Sequence, residues 1–367
     1  MNVDMKNVLI IIGKLYIGGA ERVGRDIGFY ADKTKYKIHY LVFEDVVGSY
    51  EKELEEVGCI IHHVSPPSSS YLSFYQSLIK IIKEEHIDII HSHTMFSSGW
   101  AMLAGKKCGV SVRIAHSHTI RGPEKRNLIK NTYEKTMRHI IIRKATHLVA
   151  CGKSAGEWFY GAKTFEKRGL LIYNGIGLKE FTYSDEARNR IRGQHHLENN
   201  FVIGHVGHLA TVKNQSFLLK LMPQILKNKP NAILLLLGEG EDRNLLTEQI
   251  QNFNLQKNVI MTGNIKNVGE YMSAMDVFAF PSLYEGMPLA LVEAQANGLP
   301  CCISDRIPKD AHLTDLVNAI SIDNDDEWIK EICKAKRVNP VSYGEKMFEM
   351  GFDTFGMLER IYKLYEG

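Results

Sequence analysis

The 367-residue chain is long enough for two domains, each with a hydrophobic core of its own. Its apolar and charged fractions are ordinary for a soluble globular protein, and no apolar run reaches transmembrane length, so any membrane association must be peripheral. The six cysteines show no zinc-type spacing, and without a signal peptide we expect reduced cytosolic thiols.

Strand and helix signals alternate through the first half of the chain. The run Asn7-Val-Leu-Ile-Ile-Ile12 is apolar throughout, as in a central parallel strand that is covered on both faces. A loop with Gly18 and Gly19 follows; its spacing is not Gly-x-Gly-x-x-Gly, so the dehydrogenase fingerprint is absent, and a tight turn and a ligand loop remain equally open. Further strands are predicted at 38–43, 60–64, 87–90, 110–115, 145–150 and 170–173, with helices between them.

Two histidine clusters follow predicted strands, His91-Ser-His-Thr94 and His116-Ser-His-Thr119. Residues two apart on an extended segment share a face, so each pair can project together into one cleft. Three interpretations compete: a zinc site, hydrogen-bonded cleft or core residues, and a polar contact or acid–base group for a ligand in that cleft. No nearby carboxylate or thiolate completes a zinc pattern, which disfavours the first.

The segment 121–144 mixes eight basic side chains with apolar ones, within a basic excess that runs from Lys106 to Arg168. A basic amphipathic helix can lie on an anionic bilayer, whereas the alternative is an ordinary solvated helix face. Nucleic acid is a weaker candidate because aromatic interleaving and known binding modules are missing.

The alternation of strands and helices restarts after a polar stretch, 178–200, which we interpret as a linker and approach to the second domain. The strand 201–206 leads to a loop with His208 and Lys213. The apolar strand 232–237 leads to Gly238, and the strand 259–261 leads to Asn264 and Ile265. The last stretch, 342–365, is predicted to be helical.

A strand–loop–helix unit at 276–297 carries the most informative pattern. Glu285 lies on the loop, Gly286 and Pro288 mark a turn, and Glu293 lies on the second turn of the helix. The free N–H groups at a helix start attract a phosphate, whereas carboxylates accept hydrogen bonds from sugar hydroxyls. The pattern therefore predicts a nucleotide-sugar site; the alternative is a solvated loop carboxylate and an exposed helix residue.

The sequence Ser282-Leu-Tyr-Glu-Gly-Met-Pro-Leu-Ala-Leu-Val-Glu-Ala294, with its Glu-x7-Glu pattern, resembles the signature of family 4 retaining glycosyltransferases of the GT-B fold. Residues 295–300 and 303–306 resemble the bacterial enzymes of exopolysaccharide and capsule synthesis. The resemblance implies an α/β protein with two Rossmann-like, doubly wound parallel sheets facing a deep cleft. Residues 1–177 would form the acceptor-side domain, joined by a C-terminal helix at about 351–367 that crosses back to it, and 178–350 the donor-binding domain.

The resemblance also implies roles for individual residues. Glu285, His118 and Lys213 would be catalytic, with His93 and His116 on the acceptor side; the spacing leaves His116 open as an alternative to His118. His208 stands where the family usually has an arginine, so a fixed positive charge on the diphosphate is missing. The full donor-binding set would be Gly18, Gly19, His208, Lys213, Gly238, Asn264, Ile265, Glu285, Gly286, Met287, Pro288, Leu289 and Glu293.

By this resemblance the chain would move a sugar with retention from a nucleotide-sugar, with uridine the expected base, to a lipid-linked glycan acceptor. No metal or other cofactor is expected, and no nucleic-acid partner. We expect a cytoplasmic protein at the inner face of the cell membrane, held there through the basic segment 121–144. Two alternatives remain: a GT-B nucleotide-sugar epimerase, and a non-catalytic nucleotide-sugar sensor.

Overall fold

The computed structural model describes residues 5–16, 18–43, 47–120, 128–337 and 343–366. The chain forms two compact units, residues 1–175 with 354–367 and residues 176–353, which are called unit 1 and unit 2. Each unit contains one parallel sheet with helices between its strands.

Unit 1 has a seven-stranded sheet in the order β3-β2-β1-β4-β5-β6-β7, all pairs being parallel. Its strands are β1 (Lys6–Ile11), β2 (Tyr36–Val42), β3 (Ile60–His63), β4 (Ile89–Ser92), β5 (Val112–Ser117), β6 (His147–Ala150) and β7 (Gly169–Leu171). Its helices are α1 (Gly19–Phe29), α2 (Glu51–Glu56), α3 (Tyr71–Glu84), α4 (Ser98–Lys107), α5 (Leu128–Lys144), α6 (Lys153–Tyr160), α7 (Ala162–Arg168) and, from the end of the chain, α15 (Thr354–Glu366).

Strand β1 begins with the half-buried Lys6 and Asn7, and its buried residues 8–11 are all apolar. Leu9 and Ile11 face a core built with α3, α4 and α5, whereas Val8 and Ile10 face a core built with α1 and α15. Successive strand residues point to opposite faces, so a strand covered on both sides has no solvent-facing position.

Unit 2 has a six-stranded parallel sheet in the order β10-β9-β8-β11-β12-β13. Its strands are β8 (Phe201–Val206), β9 (Ala232–Leu237), β10 (Val259–Gly263), β11 (Val277–Phe280), β12 (Cys301–Ser304) and β13 (Val317–Ile320). Its helices are α8 (Asp185–Gln194), α9 (Gln215–Asn228), α10 (Arg243–Asn252), α11 (Val268–Ala274), α12 (Leu289–Ala296), α13 (Asp325–Lys334) and α14 (Tyr343–Glu349).

The polar stretch 178–200 lies in unit 2 and contains a helix, so the linker part of the sequence interpretation is wrong. It contains α8, whose N-cap Ser184 accepts a hydrogen bond from the backbone N–H of Ala187. Two arginines of α8, Arg188 and Arg192, contact the carboxylate of Asp276 at 2.6 and 2.7 Å. The polar composition of this stretch therefore reflects specific packing within unit 2.

The predicted helix at 342–365 is two helices, a second correction. Gly351 follows α14 with φ of +82°, a left-handed conformation that ends a helix and that glycine adopts at little cost. The chain then continues into α15, which packs in the core of unit 1 through Met357, Leu358 and Ile361. No helix within the described ranges is both long enough and apolar enough to cross a bilayer.

Candidate functional site

The strand order explains where functional side chains collect. In each sheet the order reverses beside the first strand, between β1 and β4 in unit 1 and between β8 and β11 in unit 2. Open parallel sheets bind ligands at the carboxyl ends of strands at such a switch point. The loops that leave these four strands carry most of the residues singled out in the sequence.

In unit 2 the loops after β8 and β11 bring Lys213 and Glu285 together. Lys213 Nζ donates to Glu285 Oε1 at 2.6 Å, and both side chains are mostly buried, 21% and 12% exposed. The ammonium also lies 5.2 Å from the ring centre of Phe280, the last residue of β11. Cation and carboxylate, 72 residues apart in sequence, thus form one charged pair.

Backbone hydrogen bonds hold these two loops against each other. The N–H of Leu283 donates to the carbonyl of Val212 at 2.8 Å, and the side-chain amide of Asn214 donates to the carbonyl of Pro281 at 3.3 Å. Asn214 adopts the left-handed conformation, with φ of +58°, which Asn tolerates better than most residues. The Lys213–Glu285 pair is therefore fixed by backbone as well as by charge.

Helix α12 begins directly after this pair. Gly286, Met287 and Pro288 are buried, and Leu289 is half-buried. Pro288 is the N-cap rather than the first helical residue; its carbonyl accepts from the N–H groups of Leu291 and Val292, and no side chain caps the helix. The earlier N–H groups have no partner within the helix, which makes this end attractive to an anion.

Glu293 lies on α12 and is only 7% exposed, among Leu291, Val292 and Ala294. The alternative of an exposed helix carboxylate is therefore wrong. A carboxylate among apolar neighbours needs polar partners, and Glu293 takes part in such an interaction within the protein.

The loops after β8, β9 and β10 form the other side of the unit 2 site. Gly238 has φ of +139°, and a side chain there would lie 2.1 Å from the carbonyl oxygen of Gly207, so only glycine fits. Asn264 is exposed and Ile265 half-buried. His208 Nε2 pairs with Glu241 Oε2 at 2.7 Å, both side chains being more than 60% exposed.

Two buried residues of this site, His205 and Gln215, are absent from the sequence prediction. His205 Nδ1 donates to the carbonyl of Ala279 at 2.9 Å, so its Nε2 accepts from the amide of Gln215 at 3.3 Å. The same amide nitrogen donates to the carbonyl of His208 at 2.9 Å. The network fixes the loop backbone ahead of Lys213. A histidine inside an otherwise apolar strand was the available signal.

Unit 1 brings the four histidines of the two clusters together. His91 and His116 lie within β4 and β5 rather than after them, and His93 and His118 follow these strands. A hydrogen bond joins His91 Nε2 to His116 Nδ1 at 3.1 Å, and another joins His93 Nδ1 to His118 Nε2 at 2.7 Å. His91 Nδ1 also bonds the hydroxyl of Tyr365 in α15 at 2.8 Å.

All four imidazoles are held in the neutral form. Burial lowers the pKa of His91 to about 3 and of His118 to about 4, and places those of His93 and His116 well below the ordinary value. Neighbouring histidines add to the effect, whereas Asn174 beside His118 acts in the opposite direction.

Three ring nitrogens of this cluster, His93 Nε2, His116 Nε2 and His118 Nδ1, are buried without a hydrogen-bond partner among the described residues. One nitrogen each from His91, His93 and His116 lies within 4.8 Å of the others, so a metal ion is compatible with the geometry. A sugar hydroxyl could equally satisfy the unpartnered nitrogens. Gly18 and Gly19 lie elsewhere in unit 1, at the start of α1, with Gly18 as an extended N-cap.

Two family models match the chain: "Glycosyltransferase Family 4" over residues 17–180 and "Glycosyl transferases group 1" over residues 187–337. The chain is 32% identical to the putative glycosyltransferase EpsF of Bacillus subtilis over 99% of its own length and 98% of that protein. It is 30% identical to the capsular polysaccharide biosynthesis glycosyltransferase CapH of Staphylococcus aureus over 79% of each chain.

A third relative is the Escherichia coli UDP-Gal:alpha-D-GlcNAc-diphosphoundecaprenol alpha-1,3-galactosyltransferase, 30% identical over 62% of this chain and 60% of that one. Among solved structures, HepE of Anabaena in complex with UDP and glucose superposes with a TM-score of 0.81 at 20% identity, covering 99% of this chain and 100% of that one. The sucrose-phosphate synthase of Thermosynechococcus elongatus gives 0.73 at 16% identity, over 98% of each.

Proposed function

The chain belongs to the family 4 glycosyltransferases, and on that premise we propose that it moves a sugar, with retention of configuration, from a UDP-sugar to a lipid-linked glycan acceptor. The GT-B fold and the family predicted from the sequence are confirmed. The choice of UDP is supported by the UDP in the HepE complex, and the choice of acceptor by the name of the Escherichia coli relative.

The observation that carries the proposal is the Lys213–Glu285 pair beside the uncapped start of α12. Lys213 and the N–H groups of Gly286, Met287 and Leu289 would stabilise the negative charge that develops on the leaving diphosphate. Pro288 gives the turn its shape but has no N–H to donate. Glu285 would accept hydrogen bonds from sugar hydroxyls and Glu293 from the ribose.

The remaining donor contacts would come from the loops around these groups. Gly238, Asn264 and Ile265 would frame the base through backbone atoms, and His208 would lie near the diphosphate. In unit 1, Gly18 and Gly19 would form the loop that faces the donor phosphates and the acceptor.

The histidines of unit 1 would serve the acceptor. His118 would contact the reacting sugar, with His116 as the alternative, and His93 would lie beside the acceptor. Because these imidazoles are neutral, each can donate one hydrogen bond and accept another, but none supplies a fixed charge. The reaction would then depend on charge stabilisation in unit 2 and needs no metal, so we expect transfer to persist in EDTA.

A mixture of the purified protein, candidate UDP-sugars and a lipid-linked acceptor extract tests the proposal. New glycolipid supports the transferase, and retention is read from the anomeric coupling constant of the product. Epimerised donor without an acceptor would instead indicate the isomerase. Donor binding without turnover would indicate the sensor, for which the replacement of the usual arginine by His208 is the motivating observation.

We further propose that unit 1 binds the inner face of the membrane through α5. Arg121, Lys125 and Arg126 of the basic segment lie outside the described residues. Within α5, Lys135, His139 and Arg143 share one exposed face, while its only acidic residue, Glu134, is buried. Leu128 and Ile129 at the start of the helix are about 80% exposed, as apolar groups that enter a bilayer would be.

Charge reversal tests the membrane proposal. Each basic residue near an anionic surface contributes about 1 kcal/mol, so Lys135→Glu with Arg143→Glu should weaken binding to phosphatidylglycerol vesicles by about tenfold or more. Co-sedimentation measures this. Lys257→Glu with Lys266→Glu, an equal charge change at exposed positions of unit 2, should have little effect. Equal weakening of vesicle binding in both double variants would mean that binding depends on net charge alone, which would contradict a specific role of α5.

A further inference from the structure

Two histidines and a glutamate meet near one edge of the unit 1 sheet, separated by β1 from the strands that carry the four-histidine cluster. His39 lies in β2, His62 in the edge strand β3, and Glu85 directly follows α3. In the strand register His39 is opposite Ile60, two residues before His62, so both imidazoles point to the same face. That face is covered by α3, whose last turn brings Glu85 to it.

The distances within this group match those of metal ligands. His39 Nδ1 lies 3.2 Å from His62 Nε2 and 3.8 Å from Glu85 Oε2, and one donor atom from each residue lies within 4.8 Å of the others. Zinc binds nitrogen and oxygen at about 2.0–2.2 Å in tetrahedral sites, which places neighbouring ligand atoms about 3.4 Å apart. The two separations from His39 Nδ1, 3.2 and 3.8 Å, therefore lie close to this spacing, and the third is within 4.8 Å.

Hydrogen bonds among His39, His62 and Glu85 do not satisfy all of their polar atoms. His39 is fully buried, and its Nδ1 is the atom near His62 and Glu85. Its Nε2, which has no hydrogen-bond partner among the described residues, is not a ligand atom here and would carry the ring proton in the metal-bound form. The 3.8 Å separation is too long for a hydrogen bond between His39 and Glu85. The rings of His39 and His62 stack 5.5 Å apart and within 9° of parallel, so the pair is already ordered. A cation at Nδ1 of His39 would draw the carboxylate in.

We propose that His39, His62 and Glu85 bind one Zn²⁺ ion, with water in the fourth position. Imidazole favours zinc over magnesium or calcium, and a two-histidine, one-carboxylate set is a known zinc arrangement. His62 and Glu85 are half-exposed, which leaves an entry path for the ion. The neighbouring cation Lys37 opposes binding, and the Glu85 carboxylate offsets it.

The ion would tie the edge strand β3 and the end of α3 to β2. None of the three ligands belongs to the residues assigned to donor or acceptor, so the expected effect of the ion is on stability and is independent of the proposed transfer. A ligand that binds only the folded state raises its stability in proportion to the logarithm of the ligand concentration over Kd. Zinc should therefore raise Tm, whereas transfer at 25 °C should continue without it.

Titration of the chelator-treated full chain with zinc chloride, by calorimetry and by thermal unfolding, tests the site. We expect one equivalent of zinc to bind, a rise in Tm, and a tetrahedral visible spectrum with cobalt(II) in its place. His62→Ala and Glu85→Gln should each weaken zinc binding by about tenfold or more. We do not replace His39, because it is completely buried and its replacement could prevent folding whether or not it binds zinc.

Two control variants locate the ion. His63→Ala removes the next residue on β3, which points to the opposite face and pairs with Glu51 at 3.1 Å, and zinc binding should persist. His93→Ala disrupts the other histidine cluster and should also leave this equivalent in place. The proposal is overturned if the wild-type chain binds no stoichiometric zinc, if His62→Ala and Glu85→Gln bind it normally, or if His93→Ala removes it.

Discussion

Lys213 and Glu285 show how one contact serves two roles. The 2.6 Å ion pair balances the lysine charge within a mostly buried site and holds the ammonium near the start of α12. Removal of one partner from such a pair leaves the other charge poorly compensated. Under the proposed function, Glu285 would therefore contact the sugar and also orient the cation that would meet the diphosphate.

We predict that Glu285→Ala lowers kcat by about a hundredfold or more, since both effects are lost. The fold should survive because the residue lies on a loop whose backbone is held by other hydrogen bonds. Initial rates with a UDP-sugar, together with Tm, measure the two outcomes. Glu248→Ala, an exposed carboxylate on α10, is the matched control. Near-normal turnover in Glu285→Ala would refute the assigned role.

Replacement of His208 tests whether an added positive charge improves donor binding. An arginine there would supply a permanent charge and two parallel donors, so His208→Arg should lower the donor KM by about three- to tenfold. The pairing with Glu241 limits the gain. His196→Arg, at an exposed position of unit 2, controls for an added cation. An unchanged KM would indicate that residue 208 does not face the diphosphate.

At the scale of elements, α15 provides a hydrogen bond to the histidine cluster of unit 1 as well as apolar packing. The Tyr365 hydroxyl bonds His91, which bonds His116, so the end of the chain influences which nitrogen of each imidazole carries the proton. Tyr362 lies on the same helix, but its hydroxyl donates to the backbone carbonyl of Ile27 at 2.7 Å. The two tyrosines form a matched pair for experiment.

We predict that Tyr365→Phe shifts the histidine tautomers and lowers kcat, whereas the donor KM, which under the proposed function is set mainly by unit 2, stays unchanged. Long-range proton–nitrogen NMR of the imidazoles reads the tautomers, and initial rates give the two constants. Tyr362→Phe also loses a hydrogen bond, a partly buried one, and should destabilise the fold by about 1 kcal/mol without changing the tautomers. Identical spectra for Tyr365→Phe and wild type would contradict the positioning role.

At the scale of the whole molecule, buried neutral histidines link stability to pH. Burial lowers the pKa of His39, His118 and His205 to about 4 and that of His91 to about 3. Between the unfolded value near 6.5 and these folded values, the unfolded chain binds protons that the folded chain does not. The stability that the folded chain gains from keeping these histidines neutral is therefore fully present above pH 6.5, and it is lost as the pH falls towards 4.

We predict that Tm falls steadily from pH 6.5 to pH 4.5. At pH 5, each such histidine should lower the free energy of unfolding by roughly 1–2 kcal/mol. Thermal unfolding across the pH series measures this. His205→Gln should reduce the slope, while His139→Gln, which removes an exposed histidine of α5, should retain it. A Tm independent of pH in this window would show that these imidazoles are not held neutral.

The sequence by itself determined the family, the alternation of strands and helices, and the loop that carries Glu285. These depend on local signals: apolar runs, glycine and proline at turns, and a short motif with fixed spacing. It misjudged 178–200 as a linker because the partner of Arg188 and Arg192, Asp276, lies more than 80 residues away. It also merged α14 and α15, since one glycine inside a helical pattern is compatible with continuation.

Only the tertiary structure decided which side chains meet. The Lys213–Glu285 pair, the His205–Gln215 network and the contact of Tyr365 with His91 each join residues from different elements. Parallel strands place their carboxyl ends at one edge of a sheet, but strand order, which depends on packing of the whole unit, selects the loops that become neighbours. Residue identities in the sequence supply the chemistry, and the sheet order supplies its geometry.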